Sequence, residues 1–226
     1  MKRVVFAMLL LSIPAPAAAD KQLQAAFHAA FGKDGSAIIK KQGQLKEDVK
    51  YTPGDLYDAS FATVLLSPGE VMDATHANAG KLAIFYLKSG DKGVEVAKRF
   101  VPAAEIGSFG KIVDFSVSKY FGSLPVVTVN GAGNWQGYSC SSAALLELTP
   151  DGPRRLVTIP MTYDNSGAAG GGKGVTQVSG RIDNIQPGKS FDVVYFGSGK
   201  EFTERYVRKG DAYVLATGGQ SRVARC

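Results

Sequence analysis

The sequence predicts a mainly β (α+β) fold, an antiparallel sheet arranged as a sandwich or a curled meander, with a short N-terminal helical region. Short runs rich in β-branched and aromatic residues recur from residue 58 onward, and turn residues separate them at intervals of roughly 8 to 12 positions. No helical segment intervenes between the late runs, as a parallel α/β fold would require. With 45% hydrophobic and 20% charged residues, the composition is that of a globular protein.

The first 19 residues are typical of a secretory signal peptide. Two basic residues at positions 2 and 3 precede an apolar run over 4–13 and a segment of small residues over 15–19. The run is too short to span a bilayer, which needs about 20 apolar residues, and prolines interrupt its end. We therefore predict cleavage before Asp20, no transmembrane segment, and a bacterial protein that is periplasmic or secreted. An uncleaved anchor is the alternative.

The next segment predicts one amphipathic helix. Residues 21–31 are rich in helix formers, their apolar side chains recur every fourth position from Leu23 to Phe31, and Gly32 follows as a helix C-terminus would require. The stretch 36–57 fits either a helical extension or a strand, and the pattern does not choose between them.

From Asp58 onward the pattern predicts strands and turns. A hairpin joins 81–88 to 94–100, while Ser67–Gly69 and the glycine-rich segment 131–137 are interpreted as turns between strands. The predicted strands are 60–66, 81–88, 94–100, 111–120, 125–130, 143–149, 155–163, 175–185, 190–196, 202–208 and 212–217.

The last four of these runs give the clearest β signal. Phe191, Val193 and Tyr195 recur at alternate positions, and short glycine turns separate each run from the next. This pattern predicts an antiparallel meander. We favour a single β-rich domain over 20–226, with a sub-boundary near 131–134 as the alternative.

Two cysteines, Cys140 and Cys226, are present. In an oxidising compartment they are most simply one disulfide, which would close a loop of 86 residues and fix the C-terminal tail to the body of the protein. A catalytic thiol is the alternative, but a terminal residue is a poor place to hold a nucleophile rigid.

Positive charge is concentrated in the last third of the chain. Residues 151–226 carry 11 Lys and Arg against 7 Asp and Glu, whereas residues 20–150 carry 13 of each. This indicates either an anion-facing surface or an ordinary solvated face. The arginines of the last third are Arg154, Arg155, Arg181, Arg205, Arg208, Arg222 and Arg225.

Two glycine-rich segments resemble nucleotide-binding motifs only in part. Residues 167–173 match the beginning of a phosphate-binding loop, but Gly174 stands where a Ser or Thr must hold magnesium, and a strand pattern follows in place of a helix. The segment 131–137 leaves no room for the crossover helix of a dinucleotide-binding unit. We expect no nucleotide, no other cofactor and no nucleic-acid partner.

The sequence carries few catalytic or metal-binding signals. The histidines, His28 and His76, are far apart, and only His76 lies in a loop-like setting. We expect no metal site, because no ligand cluster has the required spacing. A pair of carboxylates on neighbouring strands could still act as in a glycosidase. The acidic residues available are Glu147, Asp164, Asp183, Asp192, Glu201 and Glu204.

The best candidate for a recognition surface is an aromatic and polar group formed by Trp135, Tyr138, Tyr163, Asp164 and Asn165. Trp135 is the one tryptophan, and it lies among glycines and polar residues, which favours a partly exposed ring. The alternative is a core tryptophan that caps the sheet near the disulfide.

These observations favour a non-enzymatic binding or interaction protein, whose partner is an anionic cell-envelope ligand or a protein. Arg222 and Arg225, on the tethered tail, are expected to join the aromatic group in binding. An extracytoplasmic hydrolase of cell-wall or polysaccharide substrates is the alternative, acting through unrecognised carboxylates or His76.

Overall fold

The fold was analysed in a computed structural model, which describes residues 16–41, 46–91, 93–170 and 172–226. It contains one helix and fourteen strands within those ranges. The predicted signal peptide therefore falls largely outside the described residues, as does residue 171 of the glycine-rich segment.

Helix α1 spans Pro16–Phe31, so the predicted helix is confirmed but begins five residues earlier. It ends as predicted, because Gly32 adopts a φ of 71° and donates its N–H to the carbonyl of His28 at 2.7 Å. Ala26, Phe27 and Ala30 are buried against the sheet. No helix among the described residues is long and apolar enough to cross a membrane.

Six strands form the first sheet, in the order β1-β2-β4-β5-β6, with β3 also paired to β4. The undecided stretch 36–57 supplies β1, β2 and the start of β3. These strands are β1 Ala37–Ile39, β2 Val49–Tyr51, β3 Asp55–Ala59, β4 Ala62–Val71, β5 Gly80–Gly90 and β6 Gly93–Ile106.

The second sheet is an antiparallel meander of eight consecutive strands, so the predicted meander is confirmed and is twice as long as its sequence signal. The mainly β fold class is confirmed with it. The strands are β7 Asp114–Ser118, β8 Val126–Trp135, β9 Tyr138–Thr149, β10 Gly152–Asp164, β11 Gln177–Gln186, β12 Ser190–Gly197, β13 Phe202–Lys209 and β14 Ala212–Leu215.

This second sheet curls on itself. Strands β9 and β13 lie four places apart, which is about 19 Å across a flat sheet at 4.8 Å per strand. Yet Arg208 of β13 places its Nη2 3.3 Å from Oε2 of Glu147 on β9. The sheet therefore bends into a partial barrel that has its own interior.

Three apolar clusters hold these layers together. One lies between the two sheets and includes Leu82, Ile84, Val127 and Leu146. A second fills the interior of the curled sheet, and a third lies between α1 and the other face of the first sheet. Strands β8 and β9 contribute residues to both of the first two clusters, so apolar side chains pack against both faces of these strands.

The predicted turn over Ser67–Gly69 is wrong, because that segment lies within β4, and the turn predicted over 131–137 is confirmed only in its last two residues. Pro68 is part of β4, at the point where the partner strand changes from β3 to β2, so its missing N–H interrupts neither pairing. Gly131 and Gly133 are part of β8, and the turn falls instead at Gln136–Gly137. The sub-boundary suggested near 131–134 stays a prediction, and those residues lie inside β8.

The disulfide between Cys140 and Cys226 is confirmed, with the two Cα atoms 5.8 Å apart. It joins β9 to the tail that follows β14. The tail is also held by Val223, which is buried in the cluster inside the curled sheet. The C-terminal segment therefore lies against the protein at two points.

Candidate functional site

The hairpin of β8 and β9 carries the tryptophan at its end. Trp135 and Tyr138 are directly paired on either side of the two-residue turn Gln136–Gly137, whose φ angles of 50° and 83° are both positive, as in a type I′ turn. Trp135 is 46% exposed and Tyr138 is 38% exposed. The partly exposed tryptophan expected from the sequence is therefore observed, and the core alternative is wrong.

One face of this hairpin brings the aromatic rings and the disulfide together. Gly133 and Trp135 are two residues apart on β8 and so share a face. Their direct partners on β9 are Cys140 and Tyr138, and residues that pair directly project to the same side of a sheet. We call this the hairpin face.

The glycines of β8 allow another segment to approach the hairpin face closely. A Cβ atom at Gly131 would lie 2.5 Å from the backbone nitrogen of Gly107, and one at Gly133 would lie 2.2 Å from Oγ of Ser108. Ser108 also donates its N–H to the carbonyl of Ala132 at 3.0 Å. The two glycines are thus required for close packing and not for a turn.

A cavity of about 210 Å³ lies beside the hairpin face, which forms part of its wall. The segment 107–108, the start of β9 and the tail residues 224–226 enclose it, so the disulfide fixes one wall. Arg225 is the one charged side chain among the described lining residues. The lining consists of Gly107, Ser108, Gly131, Ala132, Gly133, Cys140, Ser141, Ser142, Pro160, Ala224, Arg225 and Cys226.

The exposed tryptophan is supported by a histidine from another loop. The ring of His76, between β4 and β5, stacks on the ring of Trp135 with centroids 3.6 Å apart and an interplanar angle of 21°. The loop is anchored nearby, since Gly110 donates its N–H to the carbonyl of Asn78 at 2.8 Å. His76 therefore contacts the predicted recognition surface and is itself exposed.

The other members of the predicted aromatic group have different roles. The ring of Tyr163 lies 6.3 Å from that of Tyr138, so it extends the aromatic surface. Asn165 is engaged within the loop between β10 and β11, where its Oδ1 accepts from the N–H of Thr176 at 2.6 Å and its Nδ2 donates to the carbonyl of Gly174 at 3.1 Å. Asn165 thus shapes a loop that contacts the hairpin turn.

Asp164 is also held locally. Its carboxylate accepts from the N–H of Ser166 at 2.7 Å and from Nε2 of Gln177 at 3.1 Å. These hydrogen bonds, above all the one from the backbone of Ser166, lower the pKa of Asp164. Ala168 in the same loop donates its N–H to the carbonyl of Gly137 at 3.0 Å. The loop therefore supports the end of the hairpin.

Most of the arginines in the last third are paired with acids. Arg205 holds Asp192 with two hydrogen bonds of 2.7 and 2.9 Å, and Arg181 contacts Asp183 at 3.1 Å. Glu147 is shared between two further arginines. Among the described residues, these arginines form the following ion pairs: Arg154 with Glu147 and Asp211, Arg181 with Asp183, Arg205 with Asp192, and Arg208 with Glu147.

The two tail arginines lie in different surroundings. The guanidinium of Arg222 lies over the ring of Phe202, 4.0 Å from its centroid, and its backbone N–H donates to Glu204 at 2.6 Å. Arg225 lines the cavity instead. The structure thus brings Arg225 to the cavity beside the hairpin face, while Arg222 is not among the residues that line it.

Two of the carboxylates considered for catalysis, Glu147 and Asp192, are ion-paired with arginines. Burial raises the pKa of Glu147, but its bonds to Arg154 and Arg208 outweigh that effect and hold it below its ordinary value. The bonds from Arg205 lower the pKa of Asp192 in the same way. A general acid in glycoside hydrolysis needs a raised pKa. These groups therefore stay ionised and stabilise the sheet.

A second, larger cavity of about 1020 Å³ lies between the start of α1 and the ends of β3 to β6. Asp20, Asp55 and Asp58 line it together with Lys21 and Lys88. None of the site residues predicted from the sequence lies there. Its wall includes residues of α1 on both sides of the predicted cleavage site before Asp20.

The serines Ser108, Ser141 and Ser142 were not anticipated, because they carry no motif. The glycines at 131 and 133, however, repeat at the period of two that ends at Trp135. That spacing places Gly131, Gly133 and Trp135 on one face of a strand. Phe109, next to Ser108, has a φ of 55° and a ring that is 48% exposed, a backbone conformation that sequence patterns do not reveal for a bulky residue.

Comparison of the chain with protein-family models, curated proteins and solved structures gave no match.

Proposed function

We propose that this protein is an extracytoplasmic, non-enzymatic binding protein that holds its partner on the hairpin face and in the adjoining cavity. The observation that carries the proposal is the exposed indole of Trp135, stacked on His76 beside a cavity lined by hydroxyl groups and one arginine. Binding sites combine apolar and aromatic surface with a few convergent polar groups in this way.

The chemistry of the lining favours binding over catalysis. The described lining of the cavity contains no histidine, aspartate or glutamate that could act as a general acid or base. The acidic residues Glu147, Asp183 and Asp192 are occupied by arginines. An aromatic platform with hydroxyl donors and a cation can orient a ligand without transferring a proton.

The disulfide supports a location outside the cytoplasm. Structural disulfides persist in oxidising compartments and are rare where thiols are kept reduced. Here the bond fixes the tail segment that forms one cavity wall. The secretory leader expected from residues 1–19 agrees with export to the periplasm or the medium.

The larger cavity gives the second candidate function, a hydrolase. Asp20, Asp55 and Asp58 all line that cavity, so carboxylates converge there as they do not beside the hairpin. Release of reducing sugar from polysaccharide by the wild-type protein, lost in Asp55→Asn and Asp58→Asn, would favour this candidate.

Fluorescence of the single tryptophan tests the binding proposal directly. Three probes are compared: a neutral N-acetylglucosamine trimer, an acidic galacturonate trimer and vesicles of phosphatidylglycerol. We expect at least one probe to shift the emission of Trp135 saturably. Trp135→Ala removes this signal, so calorimetry of that variant should show loss of binding. Tyr120→Ala, which removes a ring 72% exposed at the opposite end of β8, should bind normally. No shift with any probe would contradict the proposal.

A further inference from the structure

We propose that the partner is an acidic glycan, with a sugar ring on Trp135 and Tyr138 and a carboxylate of the same chain bound by Arg225 in the cavity. This inference rests on the proposed function and adds the ligand class. Three features carry it: the spacing of platform and cavity, the hydroxyl lining, and the unpaired cation.

The aromatic platform and the cavity are adjacent on one strand. Gly133 lines the cavity, and Trp135 follows two residues later on the same face, about 7 Å along the strand at 3.3 Å per residue. A sugar ring and the acidic substituent of that ring or of its neighbour cover a comparable length. One short oligosaccharide can therefore occupy both parts of the site.

The two parts offer the contacts that a sugar chain needs. The flat apolar face of a pyranose ring stacks on an aromatic ring, and Trp135 and Tyr138 both present exposed rings. Its hydroxyl groups need hydrogen-bond partners when they leave water. The cavity supplies the hydroxyl group of Ser142, which shares the face of Cys140, and that of Ser108, which donates to the carbonyl of Ala132 at 3.4 Å. Ser141 also belongs to the lining, but its side chain projects to the opposite face, where its Oγ lies 2.8 Å from Oγ1 of Thr162. The oxygens of Ser108 and Ser142 can both accept a hydrogen bond, and Ser142 can also donate one.

The one charged side chain in the described lining is the guanidinium of Arg225. Arg154, Arg181, Arg205 and Arg208 all form ion pairs. Arg225 forms none among the described residues, and neither do Arg155 and Arg222, but of these three only Arg225 lines the cavity. No acidic side chain belongs to the described lining of the cavity. A guanidinium matches a carboxylate with two parallel hydrogen bonds, which is the arrangement that Arg205 forms with Asp192 in this protein.

A membrane surface fits this geometry less well. Binding to anionic lipid gains only a small free energy from each basic residue near the surface, so it requires a cluster of cations. Here one exposed arginine lines a cavity beside the rings. A glycan chain can enter that cavity, whereas a lipid bilayer presents a broad surface.

The experiment compares a galacturonate trimer with its methyl ester, which keeps the ring and removes the charge. We expect the acid to bind at least ten times more tightly than the ester at low salt, and this preference to shrink as salt screens the charge. Arg225→Ala should weaken binding of the acid at least tenfold and leave the ester unchanged. Arg222→Ala is the matched control and should bind both probes within twofold of wild type.

The outcomes separate this inference from the function on which it rests. Equal binding of the acid and the ester, still dependent on Trp135, would show that the protein does not recognise the charge of the ligand. The proposal of an acidic glycan would then fail, while the proposed binding function would stand. Saturable binding to phosphatidylglycerol vesicles without binding of the trimer would identify a lipid surface as the partner, and it would also contradict the acidic glycan. Loss of acid binding in Arg222→Ala to the same degree as in Arg225→Ala would contradict the role of Arg225. Failure of every probe would contradict both proposals.

Discussion

The indole of Trp135 and the imidazole of His76 stack face to face, with ring centroids 3.6 Å apart, although both residues are exposed. This contact joins the end of the β8–β9 hairpin to the loop between β4 and β5, which belongs to the other sheet. The tryptophan ring is therefore held in one orientation while part of its surface stays open to solvent. Such preorganisation lowers the cost of ordering a side chain on binding.

His76→Ala should release the tryptophan ring. We expect faster local motion of Trp135 in time-resolved fluorescence anisotropy and several-fold weaker ligand binding. The free energy of unfolding should fall by no more than about 1 kcal/mol, the scale of one aromatic pair. Tyr120→Ala serves as the control and should leave the anisotropy decay as in the wild type. An unchanged decay in His76→Ala would show that the stack does not hold the ring.

Replacing both Cys140 and Cys226 by serine should destabilise the protein without removing the sheets. The bond closes a loop of 86 residues, and the chain-entropy estimate for a loop of this size is about 4 to 5 kcal/mol at most. Urea unfolding followed by circular dichroism measures the loss. Because the tail forms a cavity wall, ligand binding should weaken as well. Equal midpoints for the variant and the wild type would contradict this role of the disulfide.

Asn165→Ala should destabilise the loop between β10 and β11, since it removes hydrogen bonds to the backbone of Thr176 and Gly174. We expect a loss of about 1 kcal/mol in the free energy of unfolding. Lys173→Ala, in the same loop, is the matched control and should be neutral. Measurable nucleotide binding that Lys173→Ala abolishes would instead restore the phosphate-loop interpretation.

Acid should weaken the curled sheet through Glu147 and Asp192. Arginine partners lower the pKa of both carboxyl groups in the folded state, so the unfolded chain binds protons first as pH falls. Their contribution to the free energy of unfolding is complete above their pKa values in the unfolded chain, near 4. It is lost as the pH falls through their lower pKa values in the folded protein. Urea unfolding at pH 7 and at pH 3 measures this loss.

Glu147→Gln should remove part of the pH dependence of the free energy of unfolding. At pH 7 we expect a loss of about 1 to 3 kcal/mol, because the variant leaves Arg208, which is largely buried, without its charged partner. The difference in the free energy of unfolding between the variant and the wild type should be smaller at pH 3 than at pH 7. Glu201→Gln, at an exposed turn, should behave as the wild type. A constant difference between pH 7 and pH 3 would contradict the assigned pairing.

Much of the fold could be predicted because its signals are local. Alternation at Phe191, Val193 and Tyr195 reflects a strand with one buried face, and Gly32 ends the helix through its positive φ. Pro68 and Gly131 were wrongly assigned to turns, because proline and glycine are both common there. Each is tolerated in a strand here for a tertiary reason: a change of partner strand at Pro68 and the close approach of Gly107 at Gly131.

The site could be predicted only in part. The setting of Trp135 among polar residues indicated exposure, which needs no knowledge of the fold. The stack on His76 and the approach of Ser108 depend on loops about 25 to 60 residues away in sequence, so no local pattern encodes them. The arginine excess indicated an anionic partner, but four of the seven arginines form ion pairs with acidic residues of the sheet. Arg225 is distinguished by its place in the lining of the cavity, which no sequence pattern reveals.

Mapping of backbone amide shifts by NMR tests the central claim most directly. The ¹⁵N-labelled protein is titrated with the galacturonate trimer and with its methyl ester. We predict that the largest shifts with the acid cluster at Ser108, Gly133, Trp135, Ser141 and Arg225, and that the ester leaves Arg225 unshifted. Shifts centred instead on Asp20, Asp55 and Asp58 around the larger cavity, or no saturable shift on the hairpin face, would contradict it.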